Sequence, residues 1–131
     1  MKGRALVTGL AGFTGRYMAR ELEALGYEVV GLDQRLASRP GEHIVDLRNG
    51  PRLAEIVAAI QPSVVVHLAA IAFVAHGDVG DLYTSNIVGS RNLLAALAAC
   101  KIPAQKVLLA SSANVYGNAA VSPLDEGCAA Q

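Results

Sequence analysis

Three glycines at fixed spacing constrain this chain more than anything else in it. They punctuate the stretch Thr8-Gly9-Leu10-Ala11-Gly12-Phe13-Thr14-Gly15, which follows the apolar run Ala5-Leu6-Val7 and opens a segment with helical periodicity. Between a strand and a helix, such a turn suits a diphosphate. Gly9 permits the tight turn, Gly12 lets backbone approach the phosphates, and Gly15 lets the helix pack close to the strand. The helix start then offers unpaired N–H groups and the positive end of its dipole to an anion. An acid follows at the matching distance: Asp33 lies 18 residues beyond Gly15, closing the next apolar run, Tyr27-Glu28-Val29-Val30-Gly31-Leu32. A carboxylate there can accept both ribose hydroxyls of an adenosine. The pair implies a dinucleotide-binding turn.

Strand and helix signals alternate along the rest of the chain. Strands are expected at about 4–8, 27–32, 43–45, 64–68 and 107–110, from apolar runs bounded by turn residues. A first helix at about 13–25 carries Met18, Leu22 and Leu25 on one face and stops at Gly26. In the second helix, Leu53, Ile56, Val57 and Ile60 fall at i, i+3, i+4 and i+7, with Pro62 closing it. A long helix is expected over about 79–100, and loop after Ser111. The nearly all-apolar Val64-Val65-Val66-His67-Leu68 suits a strand buried on both faces of a parallel sheet. This order predicts an α/β fold, a doubly wound parallel sheet with strand order 3-2-1-4-5, short of at least a sixth strand. Thr8, Asp33, Asp46, His67 and Ser111-Ser112 all fall at the carboxyl ends of strands, where such sheets bind ligands.

Composition narrows the partners. With 131 residues, 53% hydrophobic and 17% charged, the chain is one domain that can bury a core, and its composition argues against disorder. Eleven basic and 11 acidic residues balance to zero formal charge with no basic cluster, which argues against nucleic acid and anionic membranes. The most apolar stretch, 64–75, is interrupted by His67 and is too short to span a bilayer. Met1-Lys2-Gly3-Arg4 runs straight into the first strand, so no secretory signal is expected. Cys100 and Cys128 have neither ligand nor redox spacing, and the expectation is two reduced thiols in a cytoplasmic protein.

Several motifs taken together resemble the extended short-chain dehydrogenase/reductase superfamily, and within it the NAD-dependent epimerase/dehydratase family acting on nucleotide sugars. They are the glycine stretch, Asp33, Asp46-Leu47, His67-Leu68-Ala69-Ala70, Asn86 before Val88-Gly89-Ser90, and Ser111-Ser112-x-x-Val115-Tyr116-Gly117. The run from His67 through Phe73 and Val74 is also similar to that of GDP-mannose dehydratases and GDP-4-keto-6-deoxymannose reductases. The resemblance implies a Rossmann-type NAD(P)-binding domain over residues 1–131. It also implies roles. Gly9, Gly12, Phe13, Thr14 and Gly15 would line the diphosphate, and Asp33 would hold the adenosine ribose. Asp46 and Leu47 would meet the adenine, the carboxylate accepting from its amino group and the backbone N–H donating to the ring. Leu68, Ala69 and Ala70 would pass beside the diphosphate and nicotinamide ribose, with Asn86 and Ser111 near the cofactor. Ser112, four residues before Tyr116, matches the catalytic serine.

The implied chemistry needs a tyrosine phenolate whose pKa is lowered by a lysine four residues on. The residues four after Tyr17, Tyr27, Tyr83 and Tyr116 are Glu21, Gly31, Ile87 and Ala120, and the only lysines are Lys2, Lys101 and Lys106. The expectation is therefore the N-terminal part of a longer enzyme, inactive alone, whose Tyr-x-x-x-Lys pair and substrate domain follow residue 131. The acid–base pair that the family's 4,6-dehydratases place before the tyrosine is here Ala113 and Asn114, neither of which shuttles protons. That leaves an epimerase or a keto-sugar reductase, in a homodimer acting on a nucleotide sugar. Asp33 favours NAD, while Arg35 keeps NADP open as the alternative.

Each residue also has a plainer reading. Ser112 can cap a turn, Asp46 can end a strand or cap a helix, and His67 is read as a hydrogen-bonded structural histidine. Asn86 is open between cofactor or backbone bonding and plain solvent exposure, and Tyr116 is read as a packed aromatic. His76 and Asp78 lack a third metal ligand at useful spacing, so no metal is expected. Two functional rivals stand beside the enzyme. One is a non-catalytic NAD(P) sensor on the same fold, the other a small flavodoxin-like protein.

Overall fold

The computed structural model describes residues 1–35, 40–72, 78–118 and 122–131. Five parallel strands form one sheet: β1 (Arg4–Thr8), β2 (Glu28–Asp33), β3 (Glu42–Ile44), β4 (Val64–His67) and β5 (Lys106–Leu109), in the order β3-β2-β1-β4-β5. This is the expected order, with bounds shifted by about one residue. β1 lies at the centre, with Leu6 opposite Val30 of β2 and Val65 of β4.

Successive side chains of the central strands feed two separate cores, which is why those strands are apolar almost throughout. Ala5, Val7 and Val66 pack with Leu10, Ala19 and Leu22 beneath helix α1 (Phe13–Ala24). Leu6 and Val65 face the other way, onto Leu53, Ile56, Val57 and Ile60 of α2 (Gly50–Ile60) and onto Leu93 and Leu97. All four periodic residues of the second helix are therefore core. Asn49 caps that helix by accepting from the Arg52 N–H at 3.2 Å, and Gln61 ends it at φ 50°.

The first helix closes in a Schellman arrangement: Tyr27 N–H donates to Leu22 O at 3.0 Å and Gly26 N–H to Glu23 O at 2.9 Å, with Gly26 at φ +89°. Leu25, expected on the buried face, is turned outward by this reversal and is 56% exposed. The expected long helix is present but not uniform. It runs as α3 (Val79–Tyr83), a π-helical turn (Thr84–Val88) and α4 (Gly89–Ala98). After Ser111 the chain forms a 3₁₀ turn, Ala113–Tyr116, where loop was expected. Val107, Leu108 and Leu109 of β5 are exposed.

Among the described residues no helix is long and apolar enough to cross a membrane. Phe73, Val74 and His76 lie outside the described residues.

Candidate functional site

A cavity of about 370 Å³ opens at the carboxyl ends of β1 to β4. One wall is the glycine turn. Gly9 sits at φ +71°, and a Cβ on it would lie 3.0 Å from Ala69 N, so only glycine lets β1 and β4 exits come this close. A Cβ on Gly15 would collide with Gly9 O and come within 2.7 Å of Leu10 Cα, which explains how tightly α1 starts against the turn. The first turn of α1 has no side-chain cap, leaving its N–H groups to face an anion.

Asp33, the last residue of β2, stands across from that turn. Its Oδ2 accepts from Ala11 N–H at 3.1 Å, and its Oδ1 accepts from Arg35 N–H at 3.1 Å and Arg35 Nε at 3.3 Å. The carboxylate thus braces the glycine turn while Arg35 lies outward, 69% exposed against 9% for the Asp33 side chain.

Beyond β3 the cavity is walled by Val45, Asp46 and Leu47. Leu47 is buried, and its carbonyl accepts from Asn92 Nδ2 at 2.9 Å. No acceptor among the described residues meets its N–H. Asp46 is gripped by Arg48, whose Nη2 reaches Oδ2 at 2.7 Å and whose Nε lies 3.0 Å from Oδ1. The Arg48 hydrogen bonds hold the Asp46 carboxyl below its ordinary range, and Asp46 in turn raises Arg48.

The β4 exit supplies Leu68, Ala69, Ala70 and Ile71 to the same cavity. Its path is fixed from two sides. Thr8 Oγ1 accepts from Leu68 N–H at 3.2 Å and Ala69 N–H at 3.1 Å, and bonds His67 Nδ1 at 2.6 Å. Asn86, in the π-helical turn, accepts from Ile71 N–H at 2.8 Å and donates to Ile71 O at 3.0 Å. Its amide is therefore spent on backbone, one of the two options the sequence left open. Burial pushes the His67 pKa down, the structural state expected for it.

Of the residues singled out in the sequence, Gly9, Gly12, Asp33, Arg35, Asp46, Leu47, Leu68, Ala69 and Ala70 line this one cavity. Phe13 and Thr14 do not; both are exposed, and Phe13 packs against Tyr17 in a tilted pair with centroids 5.1 Å apart, beside Arg16 and Arg20. Gly15 shapes the turn from behind, and Asn86 acts through Ile71. Ser111 and Ser112 are exposed and do not line the cavity; Ser112 caps the 3₁₀ turn by accepting from Asn114 N–H at 3.2 Å. Leu32, Gln34, Val45, Ile71 and Ser85 also line the cavity and were not anticipated. Ser85 had a signal in its neighbour Asn86, whereas Gln34 had none.

Residues 5–131 match the model of the NAD dependent epimerase/dehydratase family. Among curated relatives, a GDP-6-deoxy-D-talose 4-dehydrogenase of Aggregatibacter actinomycetemcomitans is 32% identical over 87% of this chain and 37% of its own length. A UDP-glucose 4-epimerase of Rhizobium meliloti is 32% identical over 92% of this chain and 39% of its own. Among solved structures, an epimerase-like protein from Burkholderia cenocepacia is 44% identical with a TM-score of 0.87, over 98% of this chain and 44% of that one. The UDP-glucose-4-epimerase of Stenotrophomonas maltophila, solved with bound NAD and formylated UDP-arabinopyranose, is 30% identical with a TM-score of 0.85, over 98% and 43%. The chain thus spans under half the length of these relatives. With a matching family model over nearly its whole length and a Rossmann sheet built around a glycine turn, it belongs to the NAD dependent epimerase/dehydratase family.

Proposed function

We propose that this chain is the N-terminal, NAD-binding part of an enzyme that moves hydride between a nucleotide-sugar carbon and its cofactor, as an epimerase or a keto-sugar reductase. The observation that carries this is the single cavity shared by the glycine turn, Asp33, Asp46-Leu47 and the Leu68–Ala70 backbone. The cradle fits a dinucleotide: side chains are missing where a Cβ would collide, at Gly9 and Gly15. The α1 N-terminus would receive the diphosphate. Asp33 would accept from the adenosine ribose. The Asp46 carboxylate and the Leu47 N–H, acceptor beside donor, would match the amino and ring-nitrogen edge of adenine. When bound, the nicotinamide supplies hydride acceptance and return. NAD rather than NADP is favoured because the Asp33 carboxylate repels a 2′-phosphate.

Ser112 is the catalytic residue proposed within this chain, its hydroxyl bonding the reacting sugar oxygen. The tyrosine base and its lysine are proposed to lie in the remainder of a longer protein, which works as a homodimer.

The test is turnover of UDP- and GDP-sugars by the full-length protein, with products identified by NMR. Ser112→Ala is expected to lower kcat about 10²-fold or more while NAD binding persists. Full NAD binding with no turnover of any nucleotide sugar would favour a non-catalytic sensor instead.

A further inference from the structure

The Asp46 carboxylate is held far more firmly than a surface acid usually is. Arg48 N–H reaches Oδ1 at 2.9 Å, Nε lies 3.0 Å from Oδ1 and 2.9 Å from Oδ2, and Nη2 lies 2.7 Å from Oδ2. The remaining arm of the guanidinium, Nη1, reaches Asp81 Oδ1 at 2.7 Å, in the first turn of α3. That turn is itself fixed by Asp78, which accepts from Asp81 N–H at 3.1 Å. The planar fork therefore locks one carboxylate in orientation and is locked by another. All three side chains are 33–43% exposed, so the triad adds little to the stability of the fold. What it does fix is direction. Asp46 lines the cavity, whereas Arg48 and Asp81 do not.

Chemistry follows from this arrangement. An ionised carboxylate only accepts hydrogen bonds, while a protonated one can also donate. An acceptor at Asp46 beside a donor at Leu47 N–H complements a 6-aminopurine, whose amino group donates and whose N1 accepts. A 6-oxopurine presents the reverse, a carbonyl oxygen and an N1–H, and would set acceptor against acceptor and donor against donor. On the Asp46 side, the longest bond is from Gln34 Nε2 to Oδ1, at 3.3 Å. That amide NH₂, on a residue that also lines the cavity, stands where an incoming amino group would take its place.

We propose that Arg48, braced by Asp81, is a positioning residue for base specificity: it holds the Asp46 carboxylate in one orientation, so that the site selects a 6-amino over a 6-oxo purine dinucleotide. The inference rests on the adenine-end reading given above. The lowered pKa of Asp46, due first to its Arg48 hydrogen bond, agrees with it.

The test compares dissociation constants of NAD and nicotinamide hypoxanthine dinucleotide for the full-length protein by calorimetry. The wild type is expected to prefer NAD by about tenfold or more. Arg48→Met should cut that preference at least threefold, mainly by weakening NAD, with thermal melting confirming an intact fold. Arg48→Lys, which restores charge without the fork, should recover only part of it. An unchanged preference in Arg48→Met, or equal weakening of both ligands, overturns the role of Arg48 alone. Wild-type protein that binds neither dinucleotide overturns the cofactor reading, and this proposal with it.

Discussion

Thr8 and His67, 59 residues apart in sequence, share a hydrogen bond of 2.6 Å between Oγ1 and Nδ1 in the floor beneath the glycine turn. Proton counting fixes its sense. Ser90 Oγ donates to Asn86 O at 2.5 Å, so it can only accept from His67 Nε2, 2.7 Å away. His67 Nδ1 is then bare and accepts from the Thr8 hydroxyl, whose lone pairs accept from Leu68 and Ala69 N–H. The hydrogen bonds linking Thr8, His67 and Ser90 are all satisfied by a neutral, Nε2-protonated imidazole. A second proton on Nδ1 would face a hydroxyl with no lone pair to offer.

A pH dependence of stability follows. The folded-state pKa of His67 is pushed below the ordinary 6.5 by burial, so the unfolded chain binds the proton more readily. The histidine's contribution is fully present above pH 6.5 and is lost as pH falls from there through the folded value, at up to about 1.4 kcal/mol per pH unit. Urea unfolding between pH 5 and 8 measures it. His67→Phe should flatten this component and cost about 2–4 kcal/mol at pH 7.5, by leaving the Thr8 hydroxyl proton without its acceptor and Ser90 Oγ without its donor.

Two glycines should fail for different reasons. Gly15→Ala drives a Cβ into Gly9 O and Leu10, and overpacking there is expected to cost about 2–3 kcal/mol and to weaken cofactor binding. Gly26 has nothing within 4 Å of its would-be Cβ, yet sits at φ +89°. Gly26→Ala should cost about 1 kcal/mol from backbone conformation alone, with Gly26→Asn closer to neutral and ligand binding unchanged in both. Thermal melting and ligand titration of the three variants separate the two effects.

Cofactor choice should turn on Asp33 and its outward neighbour. Asp33→Asn removes the charge that repels a 2′-phosphate, so the ratio of NADP to NAD affinity is expected to rise about tenfold or more. Arg35→Ala should lower affinity for NADP and leave NAD within about twofold. Parallel titrations with both dinucleotides read this out.

The long helix leaves Val79, Tyr83, Ile87 and Leu94 exposed, at intervals of four, four and seven residues. A homodimer of the full-length protein through these residues is the expected outcome. Ile87→Glu should shift it to monomer by light scattering, without lowering the melting temperature of the domain itself. A dimer that survives Ile87→Glu would place the interface elsewhere.

Much of this architecture can be read directly from residues. The alternation of Ala5, Leu6 and Val7 between two cores explains why the central strand is apolar on both faces, and the 3.6-residue spacing of Leu53, Ile56, Val57 and Ile60 picks out α2. Other features leave no such mark. A π-helical turn differs from an α-helix only in which carbonyl each N–H selects, so Thr84–Val88 reads as ordinary helix in the sequence. The outward turn of Leu25 depends on the Schellman reversal at Gly26, which apolar spacing does not encode. Within the site, strand-end acids were legible because their backbone positions are. The Arg48 grip on Asp46 and the Asn86 clasp on Ile71 join distant segments or depend on rotamers, and emerge only in three dimensions. The apolar Val107-Leu108-Leu109 reads as core but lies exposed at the sheet edge.

Calorimetric titration of the purified protein with NAD bears most directly on the account. Saturable binding of one NAD per chain, lost by at least tenfold in Gly12→Val, where a Cβ would already lie 3.1 Å from Gly9 O, is the expected result. A folded protein that shows no saturable binding at millimolar NAD, or a Gly12→Val variant that binds as tightly as wild type, would contradict it.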